Sequence, residues 1–224
     1  MRKEKILIIA PHMDDEVLGC GGTIAKHVAN GDNLFVCFIA NRIYRHKFNK
    51  KKNEIEKEYV RKAKDILGYK EAVFFDLSDE RLDACLQDII IPLENYISQV
   101  KPNTIYCPFQ QDNNQDHRTV FSAARVVLRA SATAFIKNIF MYEVPSSTEQ
   151  SPPLLENAFL PNYYVNIAKY IDKKIKAFRC YRTEKRDYPH PRSEKALKIL
   201  ANKRGIEIGF KYAEAFMILR HKWC

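Results

Sequence analysis

The chain has 224 residues, 46% hydrophobic and 29% charged, with six cysteines and a formal net charge of +10. That length can bury a full core without staples, and the balance of apolar and charged residues excludes an intrinsically disordered chain or one made of membrane spans. No apolar run approaches the ~18 residues of a spanning helix, and the N-terminal MRKEKILIIAPH reaches the acidic Asp14–Glu16 too soon for a signal-peptide core, so a cytoplasmic location with no integral membrane segment is expected.

Residues 5–10 form a nearly unbroken apolar run ending at Pro11 and read as a buried parallel strand. Val17, Ile24, Ala25 and Val28 recur at helical spacing over 16–29, and Asn30-Gly31-Asp32 stops that helix. A second strand covers 34–40. The basic stretch 41–52 reads as a loop, and residues 53–67 as an amphipathic helix ended by Gly68. A strand at 72–77, a helix over 81–100 kinked by Pro92, a strand at 104–107, a helix from 117 to 132 and a strand at 139–144 follow. Alternation of β and α through five strands predicts an α/β fold with a parallel sheet covered on both faces. After a Pro-rich loop at 145–162, a short strand at 163–167, helices near 169–181 and 193–204 and a strand-like 211–220 read as an extension of one domain spanning 1–224.

The cysteines at 20, 37, 85, 107, 180 and 224 lie far apart with no CxxC, which argues against a cysteine-based zinc site and a disulfide scaffold. Positive charge is concentrated: residues 42–62 hold nine Lys/Arg against three Asp/Glu, and residues 169–222 hold sixteen against six. Such segments serve a nucleic acid, an anionic small molecule or simply a solvated helix face. No DNA- or RNA-reading motif accompanies them and the run 45–52 holds a single aromatic, Phe48, so nucleic acid is not expected as a partner.

In an open parallel sheet, ligands bind beyond the carboxyl ends of the strands where the winding direction reverses. The loop after the first strand reads Pro11-His12-Met13-Asp14-Asp15-Glu16, and the loop after the fourth reads Asp112-Asn113-Asn114-Gln115-Asp116-His117. If those strands are neighbours, His12, Asp15 and His117 can share one metal. Two imidazoles and a carboxylate suit zinc and leave a position open for water, the pattern of a catalytic site. A zinc-bound water has its pKa lowered towards ~7, and Asp14 is the natural general base for its attack on a carbonyl. A magnesium phosphoesterase could use the same carboxylates, but two histidines count against an ion that prefers oxygen. Taken alone, Asp14–Glu16 also reads as a helix N-cap cluster favoured by the dipole; His12 and the second loop turn the balance towards a metal centre. Gly19-Cys20-Gly21-Gly22 fails as a dinucleotide fingerprint, because its glycines lie inside the helix, and close approach to a neighbouring element is their expected role.

The segment APHMDDEVLGCGGTIAK, followed about 100 residues later by NQDHR, closely resembles the PIG-L/LmbE family of zinc-dependent N-acetylglucosaminyl deacetylases. The likeness extends to Arg42, to Tyr142-Glu143-Val144-Pro145-Ser146, and to PRSE (191–194), LANKRG (200–205) and YAEAF (212–216), nearly the whole chain. It implies a Rossmann-like three-layer sandwich, zinc on His12, Asp15 and His117, Asp14 as base, Asp116 as a catalytic carboxylate beside the zinc histidine, Arg42 as a sugar contact, and as substrate a glycan or small molecule with an N-acylated amino sugar. Two positions depart from the family pattern. Asn114 stands where a histidine usually steadies the oxyanion; its amide can donate a hydrogen bond but not a proton. Met13 replaces a proline and removes no ligand.

Among the remaining residues, His190 and Arg192 are expected at the substrate rim, His190 as a stand-in acid or a structural or exposed histidine and Arg192 as an anion contact or a fold contact. Glu214 is expected to pair with a basic residue. Part of the basic excess, around Arg42 and Arg192, is expected to steer a phosphate- or carboxylate-bearing substrate. The late apolar segments and the Pro-rich loop leave room for a homo-oligomer.

Overall fold

The computed structural model describes residues 3–44 and 46–223. The chain runs β1 (Lys5–Ala10), α1 (Asp15–Ala29), β2 (Asn33–Ala40), β3 (Ile43–Tyr44), β4 (Lys47–Phe48), α2 (Lys50–Leu67), β5 (Glu71–Leu77), α3 (Leu86–Val100), β6 (Thr104–Pro108), α4 (Gln115–Val127), β7 (Asn138–Tyr142), β8 (Tyr163–Asn166), α5 (Ile171–Phe178), α6 (Glu194–Ile206) and β9 (Ala213–His221). Seven strands form one sheet in the order β5-β2-β1-β6-β7-β9-β8; β9 runs antiparallel to both its neighbours and the other pairings are parallel.

β1 lies in the middle of the sheet, and the alternation of a strand explains its unbroken apolar sequence. Ile6, Ile8 and Ala10 enter the core shared with α1, α2, α5 and α6, while Leu7 and Ile9 enter the core shared with α3 and α4. Helices therefore cover both faces, the three-layer sandwich expected from the sequence. The chain winds β1, β2, β5 in one direction and then crosses to β6 on the other side of β1, which places the reversal between β1 and β6.

Element boundaries shift where a cap overrides the apolar pattern. The segment expected as a basic loop contains the β3–β4 hairpin, and α2 starts at Lys50 because the Asn49 side chain accepts the Lys52 N–H at 3.0 Å. The helix expected over 81–100 is divided into a 3-10 turn at Leu82–Cys85 and α3, with Pro92 inside α3. α4 starts at Gln115 behind an Asn114 cap, two residues earlier than expected, and ends at Val127. Among the described residues no helix is long and apolar enough to cross a membrane.

The glycines of α1 do what their position suggests. A Cβ on Gly19 would stand 2.3 Å from Cδ2 of Tyr142, and one on Gly22 would stand 2.7 Å from Cγ2 of Ile167. They let α1 lie flat on the end of β7 and on the segment after β8. Glu214 on β9 grips the same stretch, accepting the N–H groups of Gly22 at 2.9 Å and Thr23 at 2.6 Å. Lys174 on α5 completes the clamp, donating to Glu214 Oε1 at 2.6 Å and to the Leu18 carbonyl at 2.8 Å. Glu214 thus has the basic partner expected of it.

The Tyr142 ring cannot yield easily, because it is fully buried and its hydroxyl donates to the Ile9 carbonyl at 2.8 Å. Gly19→Ala is therefore expected to lose about 1–3 kcal/mol to overpacking. The helix-propensity gain of about 1 kcal/mol offsets only the low end of that range, so thermal unfolding should show a lower Tm.

Candidate metal centre and active-site cleft

Because β1 and β6 pair in register, from Ile6 opposite Thr104 to Ile8 opposite Tyr106, the loops leaving their carboxyl ends face one another. His12 lies just past β1, Asp15 opens α1, and His117 stands in the first turn of α4. The turn between His12 and Asp15 is tight: Asp14 has φ 138° and ψ −24°, an unfavourable backbone for a residue with a Cβ, costing about 1–3 kcal/mol. In return, Asp14 starts α1 through its carbonyl, which accepts Val17 N–H at 3.0 Å and Leu18 N–H at 2.9 Å, and the Asp15 carboxylate folds back to accept His12 N–H at 2.8 Å.

Three donor atoms converge. His12 Nδ1 lies 3.2 Å from His117 Nε2 and 3.3 Å from Asp15 Oδ2, and His117 Nε2 lies 3.2 Å from the same oxygen. Ligands at about 2.0 Å from a tetrahedral zinc are separated by about 3.3 Å, so the triangle fits that ion. The other oxygen, Asp15 Oδ1, is buried with no hydrogen-bond partner. Nitrogen, nitrogen and oxygen donors with an orphaned carboxylate oxygen beside them form a donor set suited to a divalent metal.

Each imidazole turns its outer nitrogen to carboxylates. His12 Nε2 has Asp79 Oδ1 at 3.1 Å and Asp116 Oδ2 at 3.2 Å; His117 Nδ1 has Asp112 Oδ1 at 3.2 Å, a charge contact rather than a well-aligned hydrogen bond. Those carboxylates are themselves held. Asp116 accepts Glu80 N–H at 2.8 Å, Asp79 accepts Ile43 N–H at 3.3 Å, and Asp112 takes the Thr148 hydroxyl at 2.5 Å and a short bond from the Ser147 hydroxyl. Partners of this kind fix ring orientation and raise ligand basicity.

The electrostatics match. Burial opposes charge on both imidazoles, but Asp15 and Asp112 outweigh it at His117 and push it up to about 9, while Asp116, Asp15 and Asp79 raise His12. Burial raises Asp15, yet His117 and His12 hold it well below the usual carboxylate range. The surrounding carboxylates thus favour positive charge at this point, and a divalent ion bound there would supply it. Burial, offset by Arg192, pushes Asp14 up to about 7. Glu16 is also desolvated and pushed up to about 8, and the buried Tyr181 hydroxyl donates to it through a short bond.

A polar cleft of about 420 Å³ opens beside this centre, lined by Arg42, Asp79, Asn114, Asp116 and Arg118 among others. Arg192 approaches Asp14 from the loop before α6: its Nη1 lies 3.0 Å from Asp14 Oδ2 and 2.6 Å from Glu184 Oε2, and its Nε donates to Ser146 Oγ at 2.6 Å.

Of the residues singled out from sequence, His12, Asp14, Asp15, Asp116, His117 and Arg192 meet around one centre, and Arg42 stands at the cleft. Three make contacts that the sequence did not suggest. Asp116, expected to be catalytic, spends its carboxylate on His12 and on backbone N–H groups, so its geometry is that of a support. Asn114 caps α4, its Oδ1 accepting Asp116 N–H at 2.8 Å, which leaves only its Nδ2 to face the cleft. His190, expected at the substrate rim, is exposed and is not among the residues lining the cleft; its Nδ1 accepts Arg192 N–H at 3.0 Å and so shapes the turn that carries Arg192. Asp79, Asp112, Glu184 and Ser147 were not singled out as site residues. Ser78-Asp79-Glu80 follows the third predicted strand, so the strand-end rule that located His12 points to Asp79 too. Glu184 lies in an irregular loop and carries no local signal.

Fold and site together define an open α/β protein with a candidate metal-ligand triangle of two imidazoles and one carboxylate at the switch point of its sheet. Residues 7–128 match the PIG-L family, described as GlcNAc-PI de-N-acetylase, and the chain belongs to that family. It is 28% identical over 169 residues to a protein named uncharacterized deacetylase YaiS of Escherichia coli (strain K12), covering 73% of this chain and 86% of that one. It is 23% identical over 223 residues to diacetylchitobiose deacetylase of Thermococcus kodakarensis, covering 94% and 81%. Among solved structures, the conserved protein TT1542 of Thermus thermophilus superimposes with a TM-score of 0.79 at 23% identity, over 99% of this chain and 97% of that one.

The triangle predicts uptake of one zinc per chain after chelator treatment, read by metal analysis and competition titration. Asp15→Asn and His117→Ala should abolish it, and Asp112→Asn should weaken it about 10–100-fold by releasing His117.

Proposed function

We propose that the protein is a zinc-dependent amidohydrolase that removes the N-acetyl group from an N-acetylglucosamine-type sugar conjugate. The observation that carries this reading is the triangle of His12, Asp15 and His117 at tetrahedral spacing with the Asp14 carboxylate next to it in the chain. The family description and the names of the deacetylase relatives support the same chemistry.

Zinc, when bound, supplies Lewis-acid polarisation of the amide carbonyl and lowers the pKa of a water. The residues of this chain do the rest. Asp14 takes the proton of the attacking water and returns it to the departing amine, so the acyl C–N bond breaks without a free amide anion. Arg192 keeps that carboxylate in place. Asn114, its oxygen committed to the helix cap, offers its Nδ2 hydrogens to the carbonyl oxygen as negative charge builds there. Asp79 and Asp116 orient His12, and Asp112 orients His117.

Acetate release from a panel of N-acetylated amino-sugar conjugates tests the proposal. Asp14→Asn should lower kcat by about 10²–10⁴-fold with metal content unchanged; full activity in that variant would overturn the mechanism. Asn114→Asp keeps an oxygen for the cap and deletes the donor, so it should fold normally yet lose about 10²-fold or more in kcat, whereas a mere capping role predicts no loss.

A further inference from the structure

The two arginines expected to steer an anionic substrate already have an anion. Glu184, in the loop between α5 and α6, gives one carboxylate oxygen to each: Oε1 lies 2.6 Å from Arg42 Nη2, and Oε2 lies 2.6 Å from Arg192 Nη1. The Glu184 side chain is 5% exposed and those of the arginines 22% and 18%. Beyond Glu184, Arg192 reaches Asp14 at 3.0 Å and Arg42 approaches Asp79 at 3.7 Å, and Asp79 reaches His12 at 3.1 Å. A chain of alternating charge thus runs Asp14, Arg192, Glu184, Arg42, Asp79, His12 around the rim of the site. Glu184 lies outside the residues matched by the family and is the member that touches both arginines.

Two guanidinium groups so far removed from water need an anion. A protein whose substrate supplied that anion would leave the arginines open to it; this chain supplies its own. An incoming carboxylate or phosphate would find both arginines engaged and would approach a buried negative charge that solvent screens poorly. We propose that Glu184 is the charge-specificity determinant of the cleft, neutralising Arg42 and Arg192 from within so that the site accepts uncharged N-acylamino sugars and discriminates against those bearing an anionic group near the acylated amine. The inference rests on the amidohydrolase reading.

The test compares two N-acetylated amino-sugar glycosides that share the best aglycone from the acetate-release panel and differ only in a carboxylate on the sugar ring. The wild-type enzyme should favour the neutral one by about tenfold or more in kcat/KM. Glu184→Gln, nearly the same shape, should shift that ratio by about tenfold towards the charged substrate, chiefly by lowering its KM. Glu184→Asp keeps the charge and should keep the ratio, whatever it does to the rate.

Glu184→Gln lowering both substrates equally would reduce Glu184 to a structural tie and overturn the inference. So would a wild-type enzyme that handles the charged substrate as well as the neutral one, a result that stands even if the variants do not fold. Wild-type protein that releases acetate from no member of the panel would remove the amidohydrolase reading and this inference with it; an unmoved ratio in an active enzyme removes this inference alone.

Discussion

Five aspartates and two histidines, all nearly inaccessible to water, gather at the carboxyl ends of β1 and β6. Charges withdrawn from solvent must be compensated or neutralised, and the rest of the site follows from how this chain meets that demand. Asp15 faces His12 and His117, Asp79 and Asp116 hold the far side of His12, Asp112 holds the far side of His117, and Asp14 turns outward to Arg192. The arrangement concentrates negative potential on one point bounded by three donor atoms. A divalent cation there converts several costly burials into favourable ones, which is why a metal centre is the natural completion of the cluster.

The later part of the chain serves this centre from two directions. Glu214 and Lys174 clamp the middle of α1 and set its distance from the sheet, so that Asp15 and Glu16 in its first turn stay where β1 delivers them. The loop between α5 and α6 brings Arg192 onto Asp14 and Glu184 onto both rim arginines. Ser146, with φ 73°, anchors Arg192 from the turn after β7. The antiparallel end of the sheet is therefore joined to the Asp14 carboxylate through side chains rather than through the strand ladder alone.

Much of the site was legible because strand ends and helix starts are local. His12, Asp14 and Asp15 sit between an apolar run and a helical period, and Asp116 and His117 occupy the matching place after a later strand, so topology alone predicts that they meet. Roles were harder to read than positions. Asp116 shares a loop with His117 but its oxygens serve His12 and main-chain donors, and His190 lies two residues from Arg192 yet faces solvent while Arg192 points inward. The family resemblance implies that Asn114 is an oxyanion donor, and the start of α4 adds a second duty to the same amide.

By itself the sequence determined the α/β layering, the meeting of the loops after β1 and β6 and the donor types of the candidate metal centre, because period, punctuation and residue chemistry are properties of contiguous segments. Tertiary structure alone decided where the positive charge goes. A net charge of +10 with arginines near the site suggested an anionic partner, whereas the fold brings Glu184 from 142 positions away in the chain to Arg42 and from 8 positions away to Arg192. Side chains so separated carry no shared spacing that a reader of the sequence could recognise, and Coulomb interactions between them exist only once burial has drawn them within a few ångströms.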